Sequence, residues 1–143
     1  MSANNTFLII DAQSLIHRAY HALPSLQDEK GRPVQAAYGF LLMLFGAVKE
    51  FNPQYIVAAF DLPSPTFRHE EFKDYKAHRP RTPPDLSSQI PLVKELLSAF
   101  NIPFKEQAGF EADDIIGTIA REIYKKNSNQ ECIILSGDLD VLQ

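Results

Sequence analysis

Three short apolar runs in this chain show no alternation of polar and apolar residues, and an aspartate follows each of them closely. They are Phe7-Leu8-Ile9-Ile10 before Asp11, Tyr55-Ile56-Val57-Ala58-Ala59-Phe60 before Asp61, and Glu131-Cys132-Ile133-Ile134-Leu135 before Ser136-Gly137-Asp138-Leu139-Asp140. A strand with one wet face alternates, whereas a strand apolar on both faces has to be covered on both sides. Residues 102–106 are expected to add another strand. The stretches between have helical periodicity: 12–23, 35–51 with Asn52-Pro53 as its stop, 85–100 with Asp85 as N-cap, and 111–126. Residues 26–33 carry a Gly31-Arg32-Pro33 turn signal. Buried strands alternating with helices predict an α/β fold, a mostly parallel twisted sheet flanked by helices.

The chain of 143 residues, 45% hydrophobic and 22% charged, is large enough to bury one core. Its single cysteine, Cys132, lies in an apolar run, which argues against a disulfide framework. Phe7 to Ile10 is too short for a signal peptide and runs straight into Asp11. No apolar run approaches the roughly 20 residues that span a bilayer. A soluble cytoplasmic protein with no membrane partner is the expectation. The net charge of −4 is unlike that of a general phosphate binder, so the distribution of charge matters more than its sum.

The acids collect where strands end. Asp11 and Asp61 follow the first two strands, Asp138 and Asp140 follow the last, and Glu111, Asp113 and Asp114 open a helix after the expected strand at 102–106. One such acid is ordinarily a turn residue or a helix cap. Three within four residues repel by about 1 kcal/mol per close pair even in water-like dielectric. Ligands of open parallel sheets bind outside the carboxyl ends of the strands, so all seven acids would share one rim. An all-oxygen cluster without cysteine or histidine suits hard cations such as Mg²⁺ or Mn²⁺. A pair of these about 4 Å apart can activate water and stabilise a leaving oxygen in phosphodiester hydrolysis. Paired carboxylates for glycoside chemistry would need only two acids.

A basic segment starts soon after Asp61. It reads Arg68-His69-Glu70-Glu71-Phe72-Lys73-Asp74-Tyr75-Lys76-Ala77-His78-Arg79-Pro80-Arg81. Lys and Arg neutralise phosphates, and Phe72 or Tyr75 can stack on unpaired bases. Salt bridges to Glu70, Glu71 and Asp74 are the plainer use of the same charges. Beside an acidic metal rim, a phosphate grip is the better reading, because a metal nuclease must also hold its anionic substrate. No Gly-x-Gly-x-x-Gly and no P-loop is present. His17 and His21 lack the glutamate of a zinc protease helix, and Ser14 and Ser136 lack a nucleophile setting.

The runs IIDAQSLIHRAYHAL, GRPVQAAYGF, VAAFDLPSPTFRHEEFKDYKAHRPRTPPDL, GFEADDIIGTIA and ILSGDLDVLQ resemble, in order and over nearly the whole chain, the 5′→3′ exonuclease domain of bacterial DNA polymerase I. That domain lies in the flap endonuclease superfamily and has a PIN-like fold. The resemblance implies a structure-specific 5′ nuclease that removes 5′ flaps and RNA primers in replication and repair, using two divalent metals, Mg²⁺ or Mn²⁺. It implies that Asp11, Asp61, Glu111, Asp113, Asp114, Asp138 and Asp140 are metal ligands. It places Lys76 and Arg79 as catalytic and DNA-binding residues in a basic arch at about 64–84. Arg18, Arg68 and Tyr75 match further DNA contacts, and residues 31–40 match a region that lies against duplex DNA. It also implies that residues 1–143 are the N-terminal, metal-bearing part of a single nuclease domain whose C-terminal helix-hairpin-helix part is absent. A DNA polymerase, fused or separate, is the implied partner. Two rivals stay open: a truncated, non-catalytic DNA-binding remnant, and a PIN-type ribonuclease, which would not need the long basic segment. An aspartyl phosphatase is disfavoured, because Asp11-Ala12-Gln13 has no second acid two residues on.

Overall fold

A computed structural model describes residues 5–62 and 82–137. The elements are β1 (Thr6–Asp11), α1 (Ala12–Ala22), α2 (Gln35–Phe51), β2 (Tyr55–Ala59), α3 (Pro84–Ser87), α4 (Gln89–Ala99), β3 (Phe104–Lys105), α5 (Ala112–Lys126) and β4 (Glu131–Leu135). The strands form one sheet in the order β3-β2-β1-β4, and every pair in it is parallel. The expected α/β architecture is what forms. Among the described residues no helix is long and apolar enough to cross a membrane.

The strands are apolar on both faces because both faces are covered. Leu8 and Ile10 of β1, with Ala58 and Phe60 at β2, pack against α1, α2, α3 and α4 through Leu15, Ile16, Phe40, Leu44, Leu86, Val93 and Leu97. Ile9 and Ala59, one residue out of phase, point to the other face and meet Ala112, Ile115 and Ile116 of α5. The two-residue period of a strand assigns neighbours to opposite cores.

Two contacts between helices hold the larger core together. Val34 gives α2 no side-chain cap. Instead, the fully buried Gln89 of α4 accepts from Ala36 N at 2.7 Å and Ala37 N at 3.1 Å through its Oε1. The free amides of one helix start are thus satisfied by a side chain from another helix. Where α1 crosses α2, a Cβ at Gly39 would sit 2.6 Å from Ala19 Cβ and 2.8 Å from Leu23 Cδ1, so only glycine permits this approach. The far end of α2 closes on Asn52, which adopts the left-handed conformation at φ 46°.

Three expectations need correction. The helix expected at 85–100 is two helices, α3 and α4. Pro91 cannot donate to the carbonyl four residues back, and its ring crowds that carbonyl. Asp85 is not the N-cap. Pro83 holds that position, and Asp85 lies in the first turn, accepting from Tyr20 Oη at 2.8 and 2.9 Å. The strand expected at 102–106 shrinks to Phe104–Lys105 at the sheet edge. Pro103 has no N–H for a ladder and is tolerated only on such an edge, where its carbonyl accepts from Ala58 N at 3.0 Å.

The turn signal at 26–33 folds as a tight loop bridged between Gln27 and Pro33, with Gly31 at φ +80°. Asp28 organises it, accepting from Lys30 N, Arg32 N and Arg32 Nε at 3.0, 2.9 and 2.7 Å. The backbone bond from Arg32 is the main reason that the Asp28 carboxyl lies below its ordinary pKa.

Candidate metal centre at the carboxyl rim of the sheet

The parallel sheet aims the ends of β1, β2 and β4 at one rim. The chain runs outward from β1 to β2 and β3, then returns across the sheet to β4 on the other side of β1. The order therefore reverses between β1 and β4, and such a switch point opens a crevice at the carboxyl ends of the strands. Asp11 stands at that point as the last residue of β1 and the N-cap of α1. It is 3% exposed. Its Oδ2 accepts from Ser136 Oγ at 2.9 Å, and its Oδ1 faces Ser14 N at 3.4 Å.

Asp61, just past β2, accepts from Ala112 N through its Oδ1. The acid that ends one strand thereby holds the first residue of α5, and its negative charge sits at the positive end of that helix. Glu111 is the N-cap of α5 and is 6% exposed. Asp114 reaches back so that its Oδ2 accepts from Glu111 N at 3.0 Å, and the two acids make a reciprocal capping box. Asp113 is half-buried in the same first turn. The crowded Glu-Ala-Asp-Asp run thus has a structural use: two of its three carboxylates satisfy free amides at the helix start.

Burial pushes the Asp11 carboxyl above its ordinary pKa, the hydrogen bonds from Ser136 and Ser14 pull it back, and the nearby charge of Asp61 raises it further. The Asp11 carboxylate therefore feels the repulsion of the Asp61 charge. Their donor set, oxygen only, fits a hard divalent cation, which would convert that repulsion into binding. Among the described residues no three His, Cys, Asp or Glu side chains converge closely enough to hold an ion by themselves. Asp138 and Asp140, which follow Gly137 directly, lie outside the described residues.

Arg18 brings positive charge to the same corner. Its exposed side chain lies on α1 one turn beyond Ser14 and packs along Gly137. A Cβ at Gly137 would meet Ser14 O at 3.2 Å and Arg18 Cδ at 3.3 Å. Glycine lets the end of β4 approach α1 this closely. The other DNA-binding candidates, Arg68, Tyr75, Lys76 and Arg79, lie outside the described residues, as does the expected arch at 64–84 apart from its last residues.

Ser14 and Ser136 are the residues whose role the sequence did not reveal. They are set aside there as nucleophiles, yet they form the contact that ties β4 to α1 and Asp11. The missing signal was strand adjacency: Ile10 pairs with Leu135, which puts Ser136 beside Asp11 across 125 residues of sequence.

Comparison with known proteins gives this arrangement a family. The model of the 5′-3′ exonuclease N-terminal resolvase-like domain matches residues 6–143. The chain belongs to the 5′-3′ exonuclease N-terminal domain family. DNA polymerase I of Geobacillus stearothermophilus is 45% identical over 139 residues, 97% of this chain and 16% of that protein. The 5′-3′ exonuclease of Aquifex aeolicus strain VF5 is 44% identical over 138 residues, 96% of this chain and 47% of that protein. This 5′-3′ exonuclease N-terminal domain therefore spans less than half the length of either relative. The T5 D15 protein, crystallised with metal ions, superposes with a TM-score of 0.70 at 19% identity, over 96% of this chain and 51% of that one. The T5 D15 flap endonuclease in a pseudo-enzyme-product complex with DNA and metal ions superposes with a TM-score of 0.64 at 19% identity, over 94% of this chain and 49% of that one. At that identity the likeness establishes the fold, which is that of the flap nucleases.

Proposed function

We propose that the chain carries the metal centre of a structure-specific 5′ nuclease that hydrolyses DNA phosphodiesters at 5′ single-stranded flaps and RNA primers, in a protein that contains or works with a DNA polymerase. The observation that carries this reading is the placing of Asp11 and Asp61 at the carboxyl ends of the adjacent parallel strands β1 and β2, with Arg18 beside the end of β4. Family membership and the metal ions and DNA held by the T5 protein support it.

In this reading two divalent ions, Mg²⁺ or Mn²⁺, are held by Asp11, Asp61, Glu111, Asp113, Asp114, Asp138 and Asp140. Ions bound there would supply an acidified water for in-line attack on phosphorus and neutralise the departing oxygen. The protein's own groups do the rest. Asp11 and Asp61 present carboxylate oxygens from fixed strand ends, so little reorganisation is needed. Arg18 draws a phosphate towards the rim from α1. Lys76 and Arg79 neutralise charge that builds on the phosphate in the transition state, Arg68 grips the backbone, and Tyr75 stacks on an unpaired base.

Cleavage of a 5′-labelled flap duplex in Mg²⁺ or Mn²⁺ tests the proposal, with the parent chain compared with Asp11→Ala and with Lys76→Ala. The parent is expected to cut near the flap junction and the Asp11 variant not to cut. Lys76→Ala is expected to lose about 10²- to 10³-fold in kcat with unchanged metal affinity, as for the loss of one donor to a developing charge. Equal cutting by parent and Asp11→Ala would refute the proposed centre. Preference for plain single-stranded RNA over the flap would instead assign the rim to a ribonuclease.

A further inference from the structure

Five hydrogen-bonding groups converge between β1, α1 and β4. Gly137 N donates to Ser14 Oγ at 3.0 Å, Ser14 Oγ lies 3.1 Å from Ser136 Oγ, and Ser136 Oγ lies 2.9 Å from Asp11 Oδ2. Ser14 Oγ is also 3.1 Å from Asp11 O. Each serine has one hydroxyl proton, whereas an ionised carboxylate and an amide N–H have fixed roles as acceptor and donor. This sets the direction of the chain. Ser136 gives its proton to the carboxylate, Ser14 shares its proton between Ser136 Oγ and Asp11 O, and Gly137 supplies the Ser14 oxygen. Every hydroxyl then both receives and donates, and such a relay strengthens its own members.

Resting on the metal reading of the rim, we infer that Ser14 and Ser136 are positioning residues that fix the Asp11 carboxylate as a metal ligand and lock it to the strand end that leads into Asp138. Ser136 holds Oδ2 from the β4 side, and the start of α1 faces Oδ1. The carboxylate cannot rotate away without breaking the relay. Because Gly137 is one of its members, the same relay sets the distance between Asp11 and the backbone one residue before Asp138. Partners that orient a ligand in this way matter: their loss typically costs about 10- to 100-fold in metal affinity or activity.

The test is Mn²⁺ binding, followed by the paramagnetic resonance signal of free Mn²⁺, on the parent chain and on Ser136→Ala, Ser136→Thr, Ser14→Ala and Asp11→Asn, with a thermal melt of each to confirm folding. Ser136→Ala is expected to weaken binding about 10- to 100-fold, and Ser14→Ala, which leaves the last bond of the relay in place, by less. Ser136→Thr keeps the hydroxyl and is expected to restore the parent affinity. Parent affinity in Ser136→Ala, with binding lost in Asp11→Asn, would overturn the positioning role and leave the metal reading intact. A threonine variant as weak as the alanine variant would overturn it too. Binding unchanged in Asp11→Asn, or absent in the parent, would overturn the metal reading and the positioning role together. If Ser136→Ala does not fold, a folded Ser14→Ala decides: parent affinity there overturns the inference, and weakened affinity supports it.

Discussion

Asp11 holds a charge where burial makes charge costly. Burial is the largest influence on its carboxyl and raises its pKa above the ordinary value of 3.8. Ser136 and Ser14 offset part of that cost, and Asp61 adds to it. With the folded-state pKa above the unfolded one, protonation of Asp11 favours the folded state. That favourable contribution is complete below the unfolded pKa and is lost as the pH rises through the folded pKa. In metal-free buffer near neutral pH, Asp11→Asn is therefore expected to be more stable than the parent, by on the order of 1 kcal/mol. The difference should close as the pH falls towards the ordinary carboxylate range. Saturating Mn²⁺ should reverse the order, because an ion that binds only the folded parent stabilises only the parent. Thermal melts of both proteins from acid to neutral pH, with EDTA and with Mn²⁺, check this. A parent more stable than the Asn variant at neutral pH in EDTA would show that its carboxylate is not strained by burial.

The elements that carry the rim residues are held by contacts no wider than a methyl group. Gly39 of α2 lies so close to α1 that any side chain there collides with Ala19 Cβ, which has no rotamer to move into. Gly39→Ala is therefore expected to destabilise the fold by about 1–3 kcal/mol, the usual range for an overpacked core. Ala19→Gly in the same chain should recover part of the loss. Urea denaturation of the parent and the two variants measures both effects, and a neutral Gly39→Ala would mean that the two helices can part freely. This contact also shows what could be read from sequence. The helical spans of α1 and α2 follow from apolar periodicity and the Asn52-Pro53 stop, because those signals are local. The crossing of the two helices at Gly39 is a tertiary fact, and so is the capping of α2 by Gln89. The same distinction holds at the rim. Asp11 and Asp61 stand out because each follows an unbroken apolar run. Ser136 does not, because its partner is 125 residues away. The break between α3 and α4 was local and within reach: Pro91 marks it, but the apolar spacing continues across it.

At the scale of the molecule, the two faces of the sheet are unequal among the described residues. One is covered by four helices, and the described core on that side runs from Leu8 to Leu97. Among the described residues the other is covered by α5, whose buried contacts are Ala112, Ile115 and Ile116 against Ile9 and Ala59. Local opening free energies follow buried apolar contact, so α5 with β4 should open before the β1, β2 and α1–α4 unit. Cys132 is placed to report this, because it sits on β4, half-buried against the α5 face, with burial holding its thiol above the ordinary pKa. Closed, it should react slowly with an aromatic disulfide at neutral pH, since the thiolate is the reactive form. Its labelling should show an opening free energy below that of global unfolding, and α5 amides should exchange with the same energy. On the proposed function, a divalent ion held between β1, β2 and the start of α5 would change this, since it would bind only while α5 is docked. Mn²⁺ at about 100 times its Kd would add about 2.7 kcal/mol to the opening, and labelling should slow about 100-fold. Labelling that requires global unfolding without metal would mean that α5 is not a separate unit. A separate opening that Mn²⁺ leaves unchanged would mean that the ion is not held by residues of α5, and the Glu111 to Asp114 turn would then serve the helix start alone.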